Sequence, residues 1–555
     1  MIDDNPTSDR DRLLYLFIAV AVLINFSGLL IPIAGPDAAL YATISKNMVL
    51  RHDYVQLFYR GADWLDKPHF PFWITALSFR LFGFATWAYK LPGILFMMMG
   101  ARYTWLLAKA LYNEYVAIWS TIILLTALHI ILSDNDVRAE PYLTGLIIAA
   151  VYYFYKAVNS TSFWPLLWGS IFTACAMMTK GPFALVPIGG AVAGHLVLTR
   201  QWRLLFHWRW LLAIVLTGIF ILPELWCLYR QFDMHPEKLV FGRTGVSGIR
   251  FFFWDSQFGR FFNTGPIKGS GDPFFFLHTF LWAFLPWSLL AVAAIFQLIK
   301  KGRSQAKEWY CISGALLTFL LFSASGFQLP HYLNIIFPFF AIITAQYLYY
   351  VTSKRAVMAI KITQTIVIAL ILILIDVLHF YFRPQTFSLY TAATLLMLLA
   401  MMLFYRSVIG LPGYQAVTIR TMLTAFILSL YLNLSFYPSL MKYQAGSEAA
   451  FWINSYNIDA LPVAVTEIND EDETPFEFYS NTPVTFLKNF KDSLPARPFL
   501  LYIRADEVKK LQSKGLAVQP LAIFDRYWVT RLRMTFLDHR TRRGELTEMA
   551  VVKVR

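Results

Sequence analysis

The sequence predicts a polytopic α-helical membrane protein with a small α/β domain at its C-terminal end, and three observations lead there. Of the 555 residues, 57% are hydrophobic, 17% aromatic and only 15% charged, whereas a soluble chain carries about 25% charge. Mean hydropathy is +0.51. Many apolar runs are about 20 residues long, the span of a bilayer, which a single soluble core does not require. Lysine and arginine fall on alternate connections between those runs, as they do when cytoplasmic turns retain positive charge.

The runs cover residues 13–33, 89–111, 115–133, 141–158, 163–179, 182–199, 208–229, 274–298, 309–325, 332–351, 359–381, 388–405 and 421–438, about thirteen helices. With the N-terminus in the cytoplasm, the inner turns hold Lys109, Lys156, Arg200/Arg203/Arg209, Lys300/Lys301/Arg303/Lys307, Lys354/Arg355/Lys361 and Arg406/Arg420. The net charge of +14 therefore belongs to topology and anionic headgroups rather than to nucleic acid. The first run follows a polar, acidic start and shows no small-residue cleavage site, so it reads as an anchor. Cys175, Cys227 and Cys311 each lie inside an apolar run, which argues against a disulfide framework or a zinc-thiolate site.

Residues 1–438 form the expected membrane domain, with two long aromatic connections at 34–88 and 230–273 on the outer face. Residues 69–82 are apolar but too short to cross, and suit a helix lying in the interface. An odd number of spans puts residues 439–555 outside the cytoplasm. There, short β-prone runs at Leu461–Val465, Phe499–Ile503, Tyr527–Leu532 and Met549–Val554 accompany a polar helical stretch at Ala505–Lys514, the pattern of a small α/β domain.

Polar residues at predicted span ends are the candidates for chemistry. Asp37 follows Gly35-Pro36 and suits either a helix cap or a carboxylate fixed at the membrane surface. Asp66-Lys67-Pro68 leads into the interfacial stretch. Lys67 there suits a phosphate and Asp66 a divalent ion or the lysine, while an exposed ion pair explains the two equally well. Glu140 and Lys180 stand at predicted outer ends, as do His331 and Tyr332 in Gln328-Leu-Pro-His-Tyr. A lysine on the outer face between apolar runs either faces a cavity or an anion, or snorkels to water. Arg260, set among aromatics in Trp254-Asp-Ser-Gln-Phe-Gly-Arg-Phe, suits a two-pronged phosphate contact. There is no Walker loop, dinucleotide fingerprint or His-Glu-x-x-His stretch, so an activated substrate must arrive already made, and on the outer face that means lipid-linked.

In order along the chain, Asp37, Asp66-Lys67-Pro68 with its aromatic stretch, Met178-Thr-Lys-Gly, Trp254-Asp-Ser-Gln-Phe-Gly-Arg-Phe and Gln328-Leu-Pro-His-Tyr resemble the bacterial members of the protein O-mannosyltransferase superfamily. These have the membrane-embedded GT-C fold, and the branch most resembled transfers 4-amino-4-deoxy-L-arabinose to lipid A. The resemblance covers nearly the whole chain. It implies an inverting glycosyltransferase of the bacterial inner membrane, with a polyprenyl (undecaprenyl) phosphate–sugar as donor and a lipid A, glycan or protein acceptor. Residue by residue it implies Asp37 as the catalytic loop aspartate and Lys67 and Arg260 as contacts to the carrier phosphate. Lys180 and Tyr332 match residues near that phosphate, Tyr41, Glu140 and His331 fall in the pocket, and Asp66 falls at a metal-ligand position. Three positions depart from the pattern: Ala38 replaces an acidic residue, Leu40 a basic one, and Gln257 the histidine of the metal site. They leave a divalent ion an open question. A transporter and a non-catalytic assembly protein remain as other classes, the first disfavoured by the absence of an inverted repeat.

Overall fold

The structure is a computed structural model and describes residues 9–301, 306–404, 413–466, 470–487, 494–513 and 516–555. Arg303, Arg406 and Lys514 of the sequence reading lie outside these residues. Over the described residues the apolar runs are largely helical, as local hydropathy and the backbone's need for internal hydrogen bonds in lipid require. Among the described residues, five helical stretches are long and apolar enough to cross a membrane: Thr86–Leu111, Trp202–Phe220, Pro330–Tyr350, Lys354–Phe382 and Gln415–Tyr443. Two bent pairs bring the number to at most seven, so helix length and composition do not yield thirteen full spans. Glu114–Leu125 and Leu128–Asn135 meet at 52°, while Phe275–Ala283 and Ser288–Lys300 meet at 118°. The run at 274–298 is thus not one straight span. Pro286 falls at the break, where it removes a helical donor and its ring clashes with the preceding turn.

The chain divides into two compact units. The first comprises residues 1–29, 48–371 and 396–429. Its helices Thr86–Leu111 and Ala139–Val158 approach through small residues: a Cβ on Gly145 would lie 2.2 Å from the Phe96 carbonyl oxygen. Close backbone approach of this kind takes the place of hydrophobic driving force in lipid. The helix Phe70–Phe82 matches the expected interfacial stretch; Pro71 lies in its first turn and it ends at Gly83. Ahead of it, β1 (Phe58–Tyr59) pairs antiparallel with β2 (Ala62–Asp63). The Gln231 side chain accepts from the Leu57 amide (2.9 Å) and donates to the Leu57 carbonyl (2.8 Å) and Asp63 (2.9 Å). Fully buried His69 and Glu224 lock the helix entrance, with the His69 amide and Nδ1 at 2.9 and 3.0 Å from the carboxylate.

The second unit comprises residues 30–47, 372–395 and 430–555, so two segments from earlier in the chain join the expected tail. Its sheet runs in the order β4-β3-β5-β7-β6, where β3 is Val463–Thr466, β4 Val484–Leu487, β5 Phe499–Arg504, β6 Val518–Arg526 and β7 Thr547–Val554. β3 is parallel to β4 and β5, while β7 is antiparallel to β5 and β6. Ala505–Ser513 is helical. Tyr527–Leu532, expected as a strand, is instead the loop after β6. Tyr527 and Phe536 stack there at 3.5 Å between ring centroids, so aromatic content reflects packing at this point rather than pairing. The helix Pro36–Arg51 belongs to this unit as far as Asn47, and Lys46 Nζ donates to the carbonyls of Phe478 (2.9 Å) and Ser480 (2.7 Å).

Candidate active site

In the first unit, Lys67 lies just before the interfacial helix, Lys180 is the last residue of the helix Phe163–Lys180, and Arg260 sits in the short helix Phe258–Phe261. Although scattered in sequence, all three line one narrow cavity of about 20 Å³, together with Asp66, Ser256 and Gln257. Lys180, Ser256, Gln257 and Arg260 also line an adjoining cavity of about 70 Å³ with Phe327 and Tyr332. Cations concentrated in a place largely closed to water interact far more strongly with an anion than surface charges do.

Each cation has a fixed partner. Asp66 forms ion pairs with both Lys67 and Arg260, and all three side chains are less than a quarter exposed. Burial pushes the Asp66 carboxyl up, but Lys67 and Arg260 outweigh it and hold the group below the usual carboxylate range. Lys180 pairs with Glu140, whose side chain is 2% exposed. Its ammonium lies 3.5 Å from the centroid of the Tyr332 ring, a cation–π contact. His331 Nε2 is 3.7 Å from the same Glu140 carboxylate. Lys180 therefore faces an anion and an aromatic wall rather than snorkelling.

Gly181 sets the turn that presents Lys180. Its φ is +91°, and a Cβ would fall 2.2 Å from Gln257 Nε2. The Gln257 amide donates to the Lys180 carbonyl (3.1 Å) and accepts from the Phe183 amide (3.4 Å). Gln257 is thus a structural clasp between two chain segments. A divalent ion does not fit this donor set. Both Asp66 oxygens are engaged by cations, Gln257 is committed to backbone, and no three His, Cys, Asp or Glu among the described residues gather as ligands. The metal role expected of Asp66 is replaced by a carboxylate bridging two cations.

Asp37 and Tyr41 lie in the other unit, on the helix Pro36–Arg51. Asp37 is in the first turn rather than at the cap, where a carboxylate complements the helix dipole. The turn before it is held by Gln444, which accepts from the Gly35 amide (3.1 Å) and donates to the Ile33 carbonyl (3.0 Å).

Sequence reasoning passed over two buried charges. Lys90 is fully buried in the helix Thr86–Leu111 and donates to the Gly28 carbonyl at 3.1 Å. Glu224, also fully buried, secures His69. The signal was available: a charge inside an apolar run needs a partner within the bundle. A larger, mainly apolar groove of about 460 Å³ begins near Met177, one turn before Lys180, and runs past Ile188, Val192 and Ile214.

Residues 66–226 match the family described as dolichyl-phosphate-mannose-protein mannosyltransferase, a segment holding Asp66, Lys67, Glu140 and Lys180. The undecaprenyl phosphate-alpha-4-amino-4-deoxy-L-arabinose arabinosyl transferase of Edwardsiella ictaluri (strain 93-146) is 27% identical over 336 residues, 59% of this chain and 58% of that one. The protein of the same name from Pseudomonas aeruginosa (strain UCBPP-PA14) is 28% identical over 306 residues, 54% of this chain and 52% of that one. The matched region thus spans between half and three fifths of these relatives. The crystal structure of ArnT from Cupriavidus metallidurans bound to undecaprenyl phosphate superposes with a TM-score of 0.73 at 18% identity, covering 98% of both chains. The fold is therefore the polytopic GT-C fold, which extends well beyond the segment where sequence similarity is detected.

Proposed function

We propose that this chain is an inverting glycosyltransferase that moves a sugar from a polyprenyl phosphate carrier to an acceptor outside the cytoplasm, either lipid A or another envelope glycolipid, or a protein hydroxyl. The observation that carries this reading is the convergence of Lys67, Lys180 and Arg260 on one cavity, with an apolar groove starting one turn from Lys180. A long isoprenoid suits the groove and its phosphate the cations. The arabinosyl transferase relatives, whose name includes undecaprenyl phosphate, and the ArnT crystal structure with that lipid support the same donor class.

The acceptor oxygen attacks the anomeric carbon on the face opposite the carrier. The glycosidic C–O bond breaks, and the carrier leaves as polyprenyl phosphate. Charge grows on the phosphate as the bond breaks. Lys67, Lys180 and Arg260 stabilise it from preorganised positions, each worth about 3–4 kcal/mol of barrier if it behaves like one oxyanion donor. Asp66 gives up its cations to the incoming phosphate. Glu140 and Tyr332 hold the Lys180 ammonium in place. Asp37 takes the proton of a hydroxyl acceptor, a contribution of roughly 10²–10⁴-fold; a phosphate acceptor is already anionic and needs no base. No step requires a metal ion. In the membrane, the N-terminus lies in the cytoplasm of a bacterial inner membrane, and the site and tail face the periplasm.

The test is transfer by purified protein in proteoliposomes, using polyprenyl-phosphate sugars with lipid A, glycan and peptide acceptors. The expected result is release of polyprenyl phosphate with glycosylated acceptor. Asp37→Asn nearly abolishes transfer to a hydroxyl but only weakens transfer to a phosphate. Protein that leaves every such donor intact with every acceptor class would refute the reading.

A further inference from the structure

The segment Tyr527–Arg543, which begins with the stretch Tyr527–Leu532 expected as a strand, carries five arginines and one carboxylate residue, and no step above uses it. It is rigidly built. Arg542, buried, donates to the carbonyls of Phe382 (2.6 Å) and Phe536 (3.0 Å) and to the Tyr443 hydroxyl (3.0 Å). The His539 amide donates to the Tyr381 carbonyl at 2.9 Å. Tyr381 and Phe382 are the last residues of Lys354–Phe382, one of the helices long and apolar enough to cross the membrane. The loop therefore satisfies carbonyls that the helix end would otherwise leave without partners, and it is fixed to the end of that helix.

Its outward side is unusual for a water-facing loop. Trp528 and Leu532 are each 41% exposed and Met534 69%. Arg533 and Arg540 have side chains 75% and 63% exposed, and Arg531 and Arg543 are exposed as well. Arg531 lies over the Trp528 ring at 4.1 Å. Asp538, the one carboxylate residue in the segment, is paired with Arg540, and among the described residues Arg531 and Arg543 have no carboxylate partner. Aromatic and aliphatic side chains interleaved with arginine at the level of a helix end are the composition of a membrane interface. There, apolar groups enter the headgroup boundary and guanidinium groups meet lipid phosphate.

We propose that Trp528, Leu532 and Met534, with Arg531, Arg533 and Arg543, form a docking surface for the anionic phospholipid headgroups of the leaflet at which Lys354–Phe382 ends. The occupant is lipid rather than protein or nucleic acid, because the loop is bonded to the end of a spanning helix and its charge complements lipid phosphate. The proposal is independent of the reaction assigned above and requires only that the chain spans a membrane.

The test uses full-length protein with Cys175, Cys227 and Cys311 replaced and a spin label introduced by Leu532→Cys or Met534→Cys. Ile458→Cys, 90% exposed in the same unit, serves as the reference. Labelled protein is reconstituted in nanodiscs of neutral phospholipid or of neutral plus anionic phospholipid, and collision with oxygen is compared with collision with a water-soluble nickel chelate. At 532 and 534, anionic lipid is expected to shift the ratio severalfold toward oxygen, while 458 stays water-like. Arg531→Gln/Arg533→Gln/Arg543→Gln removes that shift. A water-like ratio at 532 and 534 in anionic nanodiscs overturns the proposal, and so does equal immersion in neutral and anionic lipid. Hydrogen exchange of wild-type protein provides a check without labels: amides of 528–534 slow in anionic nanodiscs, and identical exchange in both lipids counts against the surface.

Discussion

Lys180 and Glu140 show why single residues at this site cannot be judged by charge alone. The Glu140 side chain is 2% exposed, and the His331 imidazole lies 3.7 Å from the same carboxylate. Lys180→Met strands a buried carboxylate, which costs about 3–5 kcal/mol of stability. Lys180→Met/Glu140→Gln removes both charges and recovers most of that loss. If Lys180 stabilises the leaving phosphate, the double variant still transfers sugar about 10²–10³-fold more slowly than wild type. Thermal unfolding and transfer measured on the same preparations separate the effects, and a double variant with wild-type turnover would remove Lys180 from the chemistry. Asp66 differs in that its carboxyl is held below the usual range by Lys67 and Arg260. A depressed carboxylate contributes stability above its unfolded value and loses it only as pH falls through the lowered folded value, so this bridge persists through the physiological range.

At the scale of elements, the junction between the helix Phe163–Lys180 and the 3₁₀ turn Pro182–Ala184 positions the site through one residue. Gly181→Ala meets two obstacles, a φ of +91° and the Gln257 amide 2.2 Å from the new Cβ. Gly83, which ends the interfacial helix, has φ +81° but nothing within 4 Å of a Cβ. Gly83→Ala should therefore cost only local strain, about 1–3 kcal/mol, with the donor KM unchanged. Gly181→Ala should cost at least as much and also raise the donor KM, because displacing Gln257 moves the Lys180 carbonyl it holds. Equal donor KM in the two variants would show that the clasp does not position the site. The existence of the long apolar helices was legible, since hydropathy is a local property, but it did not mark the helix Pro36–Arg51 in the stretch 34–88 expected as a connection. The breaks in the apolar runs were not legible: the 118° bend falls at Pro286, but the 52° bend between Leu125 and Leu128 falls at Thr126-Ala127, which no helix-breaking residue marks.

Across the whole molecule, the two units respond differently to pH. In the second, burial pushes Asp472 up to about 6 despite its pairing with Arg526. A raised carboxylate stabilises the fold below its unfolded value of 3.8 and loses that contribution as pH rises through about 6. The sheet unit should therefore be more stable at about pH 5 than at about pH 7.5, by about 1 kcal/mol from this group. Hydrogen exchange of the β5 and β7 amides in the full chain, corrected for intrinsic rates, reads that change, and Asp472→Asn flattens it. A wild-type profile as flat as the variant's would reject the assignment. Lys46 ties the helix bearing Asp37 to this same unit, so the proposed base and the cationic cavity belong to different compact bodies. Sequence order does not suggest this, because Asp37 and Lys67 are only thirty residues apart.

The sequence by itself determined that this chain is a helical membrane protein with an α/β tail, which residues carry charge at helix ends, and which family pattern they follow. Composition, apolar run length and ordered motifs are properties of the linear chain. Only the tertiary structure decided that Lys67, Lys180 and Arg260 share a cavity, that Asp66 bridges cations where a metal ligand was expected, and that Tyr527–Leu532 is a loop fixed to a helix end. Each of these depends on which distant side chain supplies the partner that a buried charge or an open carbonyl must have, and no local pattern specifies that partner.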